Sequence, residues 1–364
     1  MRKIRGTYAI VDLERYLNNV LIAKRLSSSQ ITPVIKANGY GHGASALAKY
    51  LLKYSDINTF CVATIEEGIK LREAIEDKGN IIVLGFIDES YFKEVLNYNL
   101  LINIYDDNIA YKFNKLLKDI NKKCNVFLKI DTGMNRLGYS TDFDIVNFID
   151  RYSNLNPVLI MSHLSSPDSD EEYTRLQINL FEKVVSRTKT IIPNIKSSLF
   201  NSPALTYLKN SFDYARPGII TYGYIKSKED IGLKPVMSIF SKIIHIKKLE
   251  KDQFIGYNKT FRTDKRTKVG ILPIGYADGY NRLLSNRGEV FIAGKRYPII
   301  GRICMDMTMV DITDLPEALY DSEVEIMGDN IRADEIASLC STISYEILTN
   351  ISSRITRIYI GKNG

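Results

Sequence analysis

Between about residue 30 and residue 225, short apolar runs alternate with longer stretches whose apolar residues recur every three or four positions. The runs are ITPVIKA, TFCVATI, NIIVLG, LLINIY, CNVFLKID, PVLIMSH, SSLF and ARPGIITYG. Each is short and mostly rich in branched or aromatic residues, as buried strands are. Between them lie stretches such as EEGIKLREAIE, NIAYKFNKLLKDINKK and YTRLQINLFEKVVSRTK, which present one apolar helical face. Eight strands alternating with helices predict a parallel (β/α)8 barrel. An open doubly wound sheet is the structural alternative, but no G-x-G-x-x-G follows the first strand.

Beyond about residue 228 the pattern changes. MSIFSKIIHIKKL, KVGILPIGYA, EVFIAGKRYPIIGRI, TMVDIT and EVEIMG read as short strands at close spacing, and no long helical pattern returns until ADEIASLCSTISYEILTNI. The expectation is a barrel over residues 1–228 and a mostly-β domain over 229–364. TYAIVDL, ahead of the barrel, is a candidate to join the second domain.

Composition narrows the function. A length of 364 residues suits two domains better than one. No run approaches the roughly 20 apolar residues of a membrane span, and MRKIRGTYAIVDL lacks a secretory pattern, so a cytoplasmic protein is expected. Four scattered cysteines imply reduced thiols, and three histidines argue against a metal site. The net charge of +7 is spread among acids without a dense basic run, which disfavours nucleic acid but suits a small anionic ligand.

In such a barrel the reacting groups gather at the carboxyl ends of the strands. Those ends offer Lys36 (VIKANGYGHG), Lys129 and Arg136 (LKIDTGMNRLG), and His163 (MSH). Asn201 and Ser202 (FNSPA) and Arg216 with the Gly218 and Ile219 amides (RPGI) come later. Loops after the seventh and eighth strands commonly hold phosphate, and amides with a hydroxyl suit it. A strand-end lysine opposite a phosphate site points to a Schiff base with pyridoxal phosphate. Taken alone, Lys36 reads better as a lysine snorkelling to solvent, and only its company favours the Schiff base.

VIKANGYGHG, LKIDTGMNRLG, RPGIITYG, LPIGYADGY and GRICMDMTMVD, in that order, resemble motifs of the bacterial alanine racemases, and the likeness spans essentially the whole chain. The resemblance implies an N-terminal barrel, a C-terminal β domain and a homodimer with shared active sites. It gives Lys36 as Schiff-base lysine and one base, and Tyr257 (FIGYNKTF) as the second base, reaching in from the partner subunit. Tyr40, Ser202, Gly218 and Ile219 would bind the cofactor phosphate, His163 would border its ring, and Arg216 would face its pyridine nitrogen. Arg136 and the Met305 amide would hold the substrate carboxylate, and Tyr276 would line the passage to the site. Lys129 matches a position carbamylated in some members; pairing with Asp131 is its alternative.

Racemisation removes a proton from one face of Cα and returns it to the other, so two bases are expected. An arginine at the pyridine nitrogen cannot give up its proton. It weakens the electron sink and favours reprotonation over transamination. The chain departs from the family slightly in NGYGHG, where NAYGHG is commoner, and more materially at two places. Ser198 stands where a histidine usually orients the arginine, and Ser353 replaces a phosphate-binding tyrosine that lines the pocket. The second change suggests a serine or mixed alanine/serine racemase as rival to an alanine racemase supplying D-alanine to peptidoglycan. A barrel-type decarboxylase is a remote alternative, lacking its C-terminal signature here.

Overall fold

The computed structural model describes residues 6–209, 212–225, 227 and 229–362. It forms two compact units. One gathers Leu17–Gly39 and Ala44–Leu233; the other gathers the chain up to Tyr16, the stretch Tyr40–Gly43, and the chain from Lys234 on. The chain opens with β1 (Tyr8–Asp12) and α1 (Leu13–Leu26).

The first unit carries β2 (Gln30–Ile31), β3 (Thr59–Val62), β4 (Asn80–Val83), β5 (Leu100–Ile104), β6 (Cys124–Lys129), β7 (Leu155–Met161), β8 (Lys196–Ser198) and β9 (Tyr214–Ala215). All pair in parallel in the order β2-β9-β8-β7-β6-β5-β4-β3. A parallel bridge from Val34 to Cys61 brings the two ends of that order together, giving a nearly closed barrel. Val126, Phe127 and Leu128 are all buried, which is why the strands read as unbroken apolar runs.

Helices α2 (Ala44–Tyr54), α3 (Ile65–Ile75), α4 (Phe92–Asn97), α5 (Asp107–Asp119), α6 (Ile145–Arg151), α7 (Glu171–Ile191) and α8 (Ser202–Tyr207) intervene. Side chains of Thr64, Asp106, Asp144, Asp170 and Asn201 accept from first-turn N–H groups that the helices leave unpaired. ARPGIITYG forms less strand than its pattern suggests. Pro217 has no N–H to extend the ladder, and Ile219–Tyr222 winds into a 3-10 turn ended by Gly223 at φ 94°.

The second unit contains β10 (Met237–Ser241), β11 (His245–Leu249), β12 (Phe254–Ile255), β13 (Phe261–Arg262), β14 (Thr267–Leu272), β15 (Glu289–Ile292), β16 (Lys295–Pro298), β17 (Thr308–Asp311), β18 (Val324–Met327) and β19 (Thr356–Ile360). A six-stranded sheet runs β16-β15-β18-β10-β1-β19, so β1 pairs antiparallel with β10 and parallel with β19. Strands β11-β14-β17 form a separate sheet, and β12 and β13 a hairpin. MSIFSKIIHIKKL is therefore split between two sheets. ADEIASLCSTISYEILTNI is also split, into α9 (Ala333–Leu339) and α10 (Ser344–Thr349), with Ser341 left-handed at φ 54°. Its Ser/Thr cluster offers the backbone non-helical hydrogen bonds.

Among the described residues no helix is long and apolar enough to cross a membrane. The four cysteines are free, and no group of His, Cys, Asp and Glu among those residues is placed to hold a metal ion.

Candidate functional site

Lys36 stands where the first barrel segment ends. Ala37, Asn38 and Gly39 follow it with φ of 51°, 52° and 64°, a left-handed turn. Such a conformation costs a residue with a Cβ about 1–2 kcal/mol, so the turn needs fastening. Gly39 N–H donates to Ile35 O at 2.7 Å. Ala44 N–H donates to Asn38 Oδ1 at 3.1 Å. The Glu67 carboxylate accepts from Ala37 N–H at 2.6 Å and from Ala63 N–H at 2.8 Å. A Cβ on Gly39 would lie 2.8 Å from Leu47 Cδ1, so glycine spares this position both a left-handed Cβ and a close side-chain contact. Glu67 escaped the reading of the sequence; its signal is the T-x-x-E spacing from Thr64, which normally marks a helix start.

Burial pushes the Lys36 ammonium below its ordinary range and Arg136 adds to the effect, while Glu67 and Cys61 oppose it. Cys61 itself is buried, and desolvation pushes its thiol up to about 11. It is therefore a protonated neighbour at neutral pH, without a nucleophile's character.

Arg216 directly follows β9, the strand paired with β2, and is only 4% exposed. Its Nη2 donates to Ser162 O at 2.6 Å, to Leu199 O at 3.2 Å and to His163 Nδ1 at 3.3 Å. Its Nη1 donates to the Ser198 hydroxyl, which donates in turn to Tyr214 O at 2.9 Å. Serine at this departure thus still orients the guanidinium. An arginine can only donate, so His163 Nδ1 accepts and a neutral ring carries its proton on Nε2. Burial first, then the charges of Arg216, Lys129, Arg136 and Lys36, hold His163 well below its ordinary range. Burial lowers Arg216 to about 10, which leaves it charged at neutral pH.

Ser202 is buried at the start of α8, and its Oγ accepts from Gly218 N–H at 2.7 Å. Asn201 caps that helix through Ala204 N–H and donates to Leu164 O at 3.0 Å. Ser202, Gly218 and the turn beginning at Ile219 therefore come together.

Lys129 ends β6. Burial, then Arg216 and Arg136, lower its ammonium to about 7. Asp131 opposes this weakly, because its carboxylate is engaged by Gly133 N–H at 2.8 Å and Asn135 N–H at 3.1 Å. Among the described residues no ion pair joins Lys129 to Asp131. Arg136 is exposed on the same loop.

Five predicted residues fall in the second unit. Tyr40 is buried there, its ring 5.8 Å from that of Tyr345. Tyr257 is 66% exposed at a turn where Asn258 and Lys259 are left-handed. It borders an open groove of about 460 Å³ with Phe254, Gly256, Cys304 and Met309. Tyr276 and Met305 are exposed on loops joined by Tyr276 N–H to Cys304 O and Ala277 N–H to Met305 O, each 3.0 Å. Arg354 spans these loops, contacting Asp306 at 2.7 Å and buried Asp278 at 3.4 Å. Ser353 beside it is exposed.

The family model for the alanine racemase N-terminal domain matches residues 11–226, and that for the alanine racemase C-terminal domain matches residues 236–359. Alanine racemase 1 of Clostridium acetobutylicum is 36% identical, covering 100% of this chain and 97% of its own length. The solved alanine racemase of Clostridium difficile 630 is 31% identical with a TM-score of 0.91, over 100% of this chain and 97% of that one. An alanine racemase from Bartonella henselae with covalently bound pyridoxal phosphate is 28% identical with a TM-score of 0.88, over 98% and 99%.

Proposed function

The chain belongs to the alanine racemase family and is an amino-acid racemase, an isomerase; from that premise we propose that it interconverts L- and D-alanine on pyridoxal phosphate, using Lys36 and Tyr257 as its two bases. The observation that carries this reading is the crowd of basic groups at the strand ends. Lys36, Lys129, His163 and Arg216 are held low by burial, Arg136 and Arg216 add their charge, and only Glu67, Asp131 and Cys61 oppose them. Such a cluster favours an anion, and the phosphate and phenolic oxygen of pyridoxal phosphate carry negative charge.

The residues present fit that group. The Ser202 hydroxyl accepts from Gly218 and donates to no described residue, so its proton is available to a phosphate oxygen. Gly218, Ile219, Tyr40 and Ser353 would complete the phosphate site, with Asn201 holding the loop and His163 bordering the ring. Arg136, Met305 and Tyr276 would hold or admit the substrate. Bound pyridoxal phosphate supplies a covalent handle for the substrate amine and a sink for the electrons left at Cα.

The chain's own groups supply the rest. The Lys36 amine takes a proton from one face of Cα and Tyr257 gives one at the other, with roles reversed in the opposite direction. Arg216 remains charged and does not release its protons, so the pyridine nitrogen it would face would stay unprotonated. The Lys129 amine, substantially neutral near pH 7, is competent to add CO2. Its nitrogen bonds to carbon, a proton leaves to water, and the resulting carbamate answers the charge of Arg136. The same reading places a cytoplasmic homodimer with shared sites, divided into domains near residue 228, at the supply of D-alanine to peptidoglycan.

A chiral assay on L-alanine with added cofactor tests the central claim. Protein fully occupied by pyridoxal phosphate that forms no D-alanine would reject it. A second reading rests on exposed Ser353, which offers a small hydroxyl where a tyrosine ring would narrow the pocket. L-serine racemised faster than L-alanine by a wide margin would replace the substrate assignment.

A further inference from the structure

Glu67 stands at the third position of α3, where a T-x-x-E pattern ordinarily turns the carboxylate back onto the N–H of its own cap residue. Half of that motif is present: Thr64 Oγ1 accepts from Glu67 N–H at 3.3 Å. The other half is diverted. Glu67 Oε2 takes Ala63 N–H at 2.8 Å, and Oε1 crosses to the neighbouring loop to take Ala37 N–H at 2.6 Å. Ala37 is exposed and left-handed, a combination that no packing of its own side chain sustains. Lys36 immediately precedes it.

We propose that Glu67 is a positioning residue for the Schiff-base lysine. One carboxylate clamps the loops after two adjacent barrel strands and thereby fixes the left-handed turn from which the Lys36 side chain departs. Glutamate suits the task because it can accept at both oxygens at once; glutamine presents a donor to one of the two N–H groups. The inference rests on Lys36 being the cofactor's covalent anchor. The groups electrostatically coupled to that amine are Arg136, Glu67, Cys61 and His163.

The test uses the holoenzyme. Borohydride reduction followed by peptide mapping first locates the labelled lysine; a label elsewhere than Lys36 overturns both the anchor and this inference. With the anchor at Lys36, Glu67→Gln should release pyridoxal phosphate roughly 10-fold faster, the scale of one lost hydrogen bond to a charged group. It should also lower the pH midpoint of the bound cofactor's visible band. Glu66→Gln removes the same formal charge without these contacts and should change neither.

Adding Ala37→Gly to Glu67→Gln removes the Cβ that disfavours the turn. It should recover cofactor retention while leaving the pH midpoint shifted. Unchanged release and midpoint in Glu67→Gln would overturn the proposal, as would an equal effect from Glu66→Gln or no recovery in the double variant. Should Glu67→Gln fail to fold, hydrogen exchange on the unmutated holoenzyme decides. The exposed Ala37 amide should exchange slowly, and fast exchange would overturn the clamp.

Discussion

In the barrel, Arg216 is 4% exposed and gives its hydrogen bonds to Ser198, Ser162, Leu199 and His163, whereas in the C-terminal unit Tyr257 is 66% exposed on a turn between two short strands. The barrel makes its own chemical environment. Desolvation and mutual repulsion already move Lys36, Lys129 and His163 from their ordinary behaviour within one chain. The C-terminal candidates Tyr257, Tyr276 and Met305 lie open and acquire a setting only when something is laid against them. Under the shared-site proposal that covering is a second copy of the chain. The contrast predicts that barrel variants act through cofactor chemistry, while variants of Tyr257 act through proton transfer at one face of Cα.

The largest expected effect is at Lys36. Lys36→Ala should abolish the borohydride-reducible link and lower racemisation by roughly 10³-fold or more, since nucleophile and general base go together. A reducible link that survived would move the anchor to another lysine and break the barrel half of the comparison. Tyr257→Phe comes next, with a loss of about 10²–10⁴ in rate but intact cofactor binding. Equal substrate stabilities force equal kcat/KM in the two directions, so the asymmetry must be sought in isotope effects. With Tyr257 as the base that meets the L-enantiomer and Lys36 the base that meets the D-enantiomer, alanine deuterated at Cα should show a raised effect in the L form and little change in the D form. Equal changes would remove Tyr257 as a base acting at one face.

This contrast also explains what could be read from the amino-acid order. The barrel was legible because its strands are buried on both faces and its helices on one, so each leaves its own periodicity. Elements governed by a few residues were less so: Pro217 shortens β9, and the Ser/Thr cluster around Ser341 splits one apparent helix into two. Lys36, Arg216 and Ser202 could be located because strand ends in such a barrel face one mouth. Glu67 could not, because its T-x-x-E spacing has an ordinary explanation as a helix cap. Nothing local distinguishes Tyr257 from the other tyrosines; only resemblance singled it out. Ser198 was legible as a departure, but that it still holds Arg216 depends on where Tyr214 O lies.

Ser198 gives a smaller effect. Ser198→Ala leaves a buried guanidinium N–H and the Tyr214 carbonyl without this partner, costing about 1–3 kcal/mol of stability. Thermal unfolding measures that loss directly. Activity should fall less than in Tyr257→Phe, because Ser162, Leu199 and His163 still hold the arginine. A collapse of activity with unchanged stability would instead assign Ser198 a direct part in the chemistry.

Lys129 gives the subtlest signal, a slope rather than a loss. Its ammonium is lowered to about 7 in the folded chain, against about 10.4 when unfolded. Between those values the unfolded state holds one proton more than the folded state, so this residue makes stability rise with pH. Below the folded value both states are protonated and the cost of burying the charge is fully present; above the unfolded value it is absent. Lys129→Met should therefore flatten the dependence of Tm on pH between about 7 and 10.4 in CO2-free buffer. Bicarbonate then sharpens the test. Converting the amine to a carbamate reverses its charge among Arg216 and Arg136, so bicarbonate should stabilise the unmutated protein and leave Lys129→Met unaffected. Equal responses would mean that the added anion acts elsewhere, and that the lysine stays an amine.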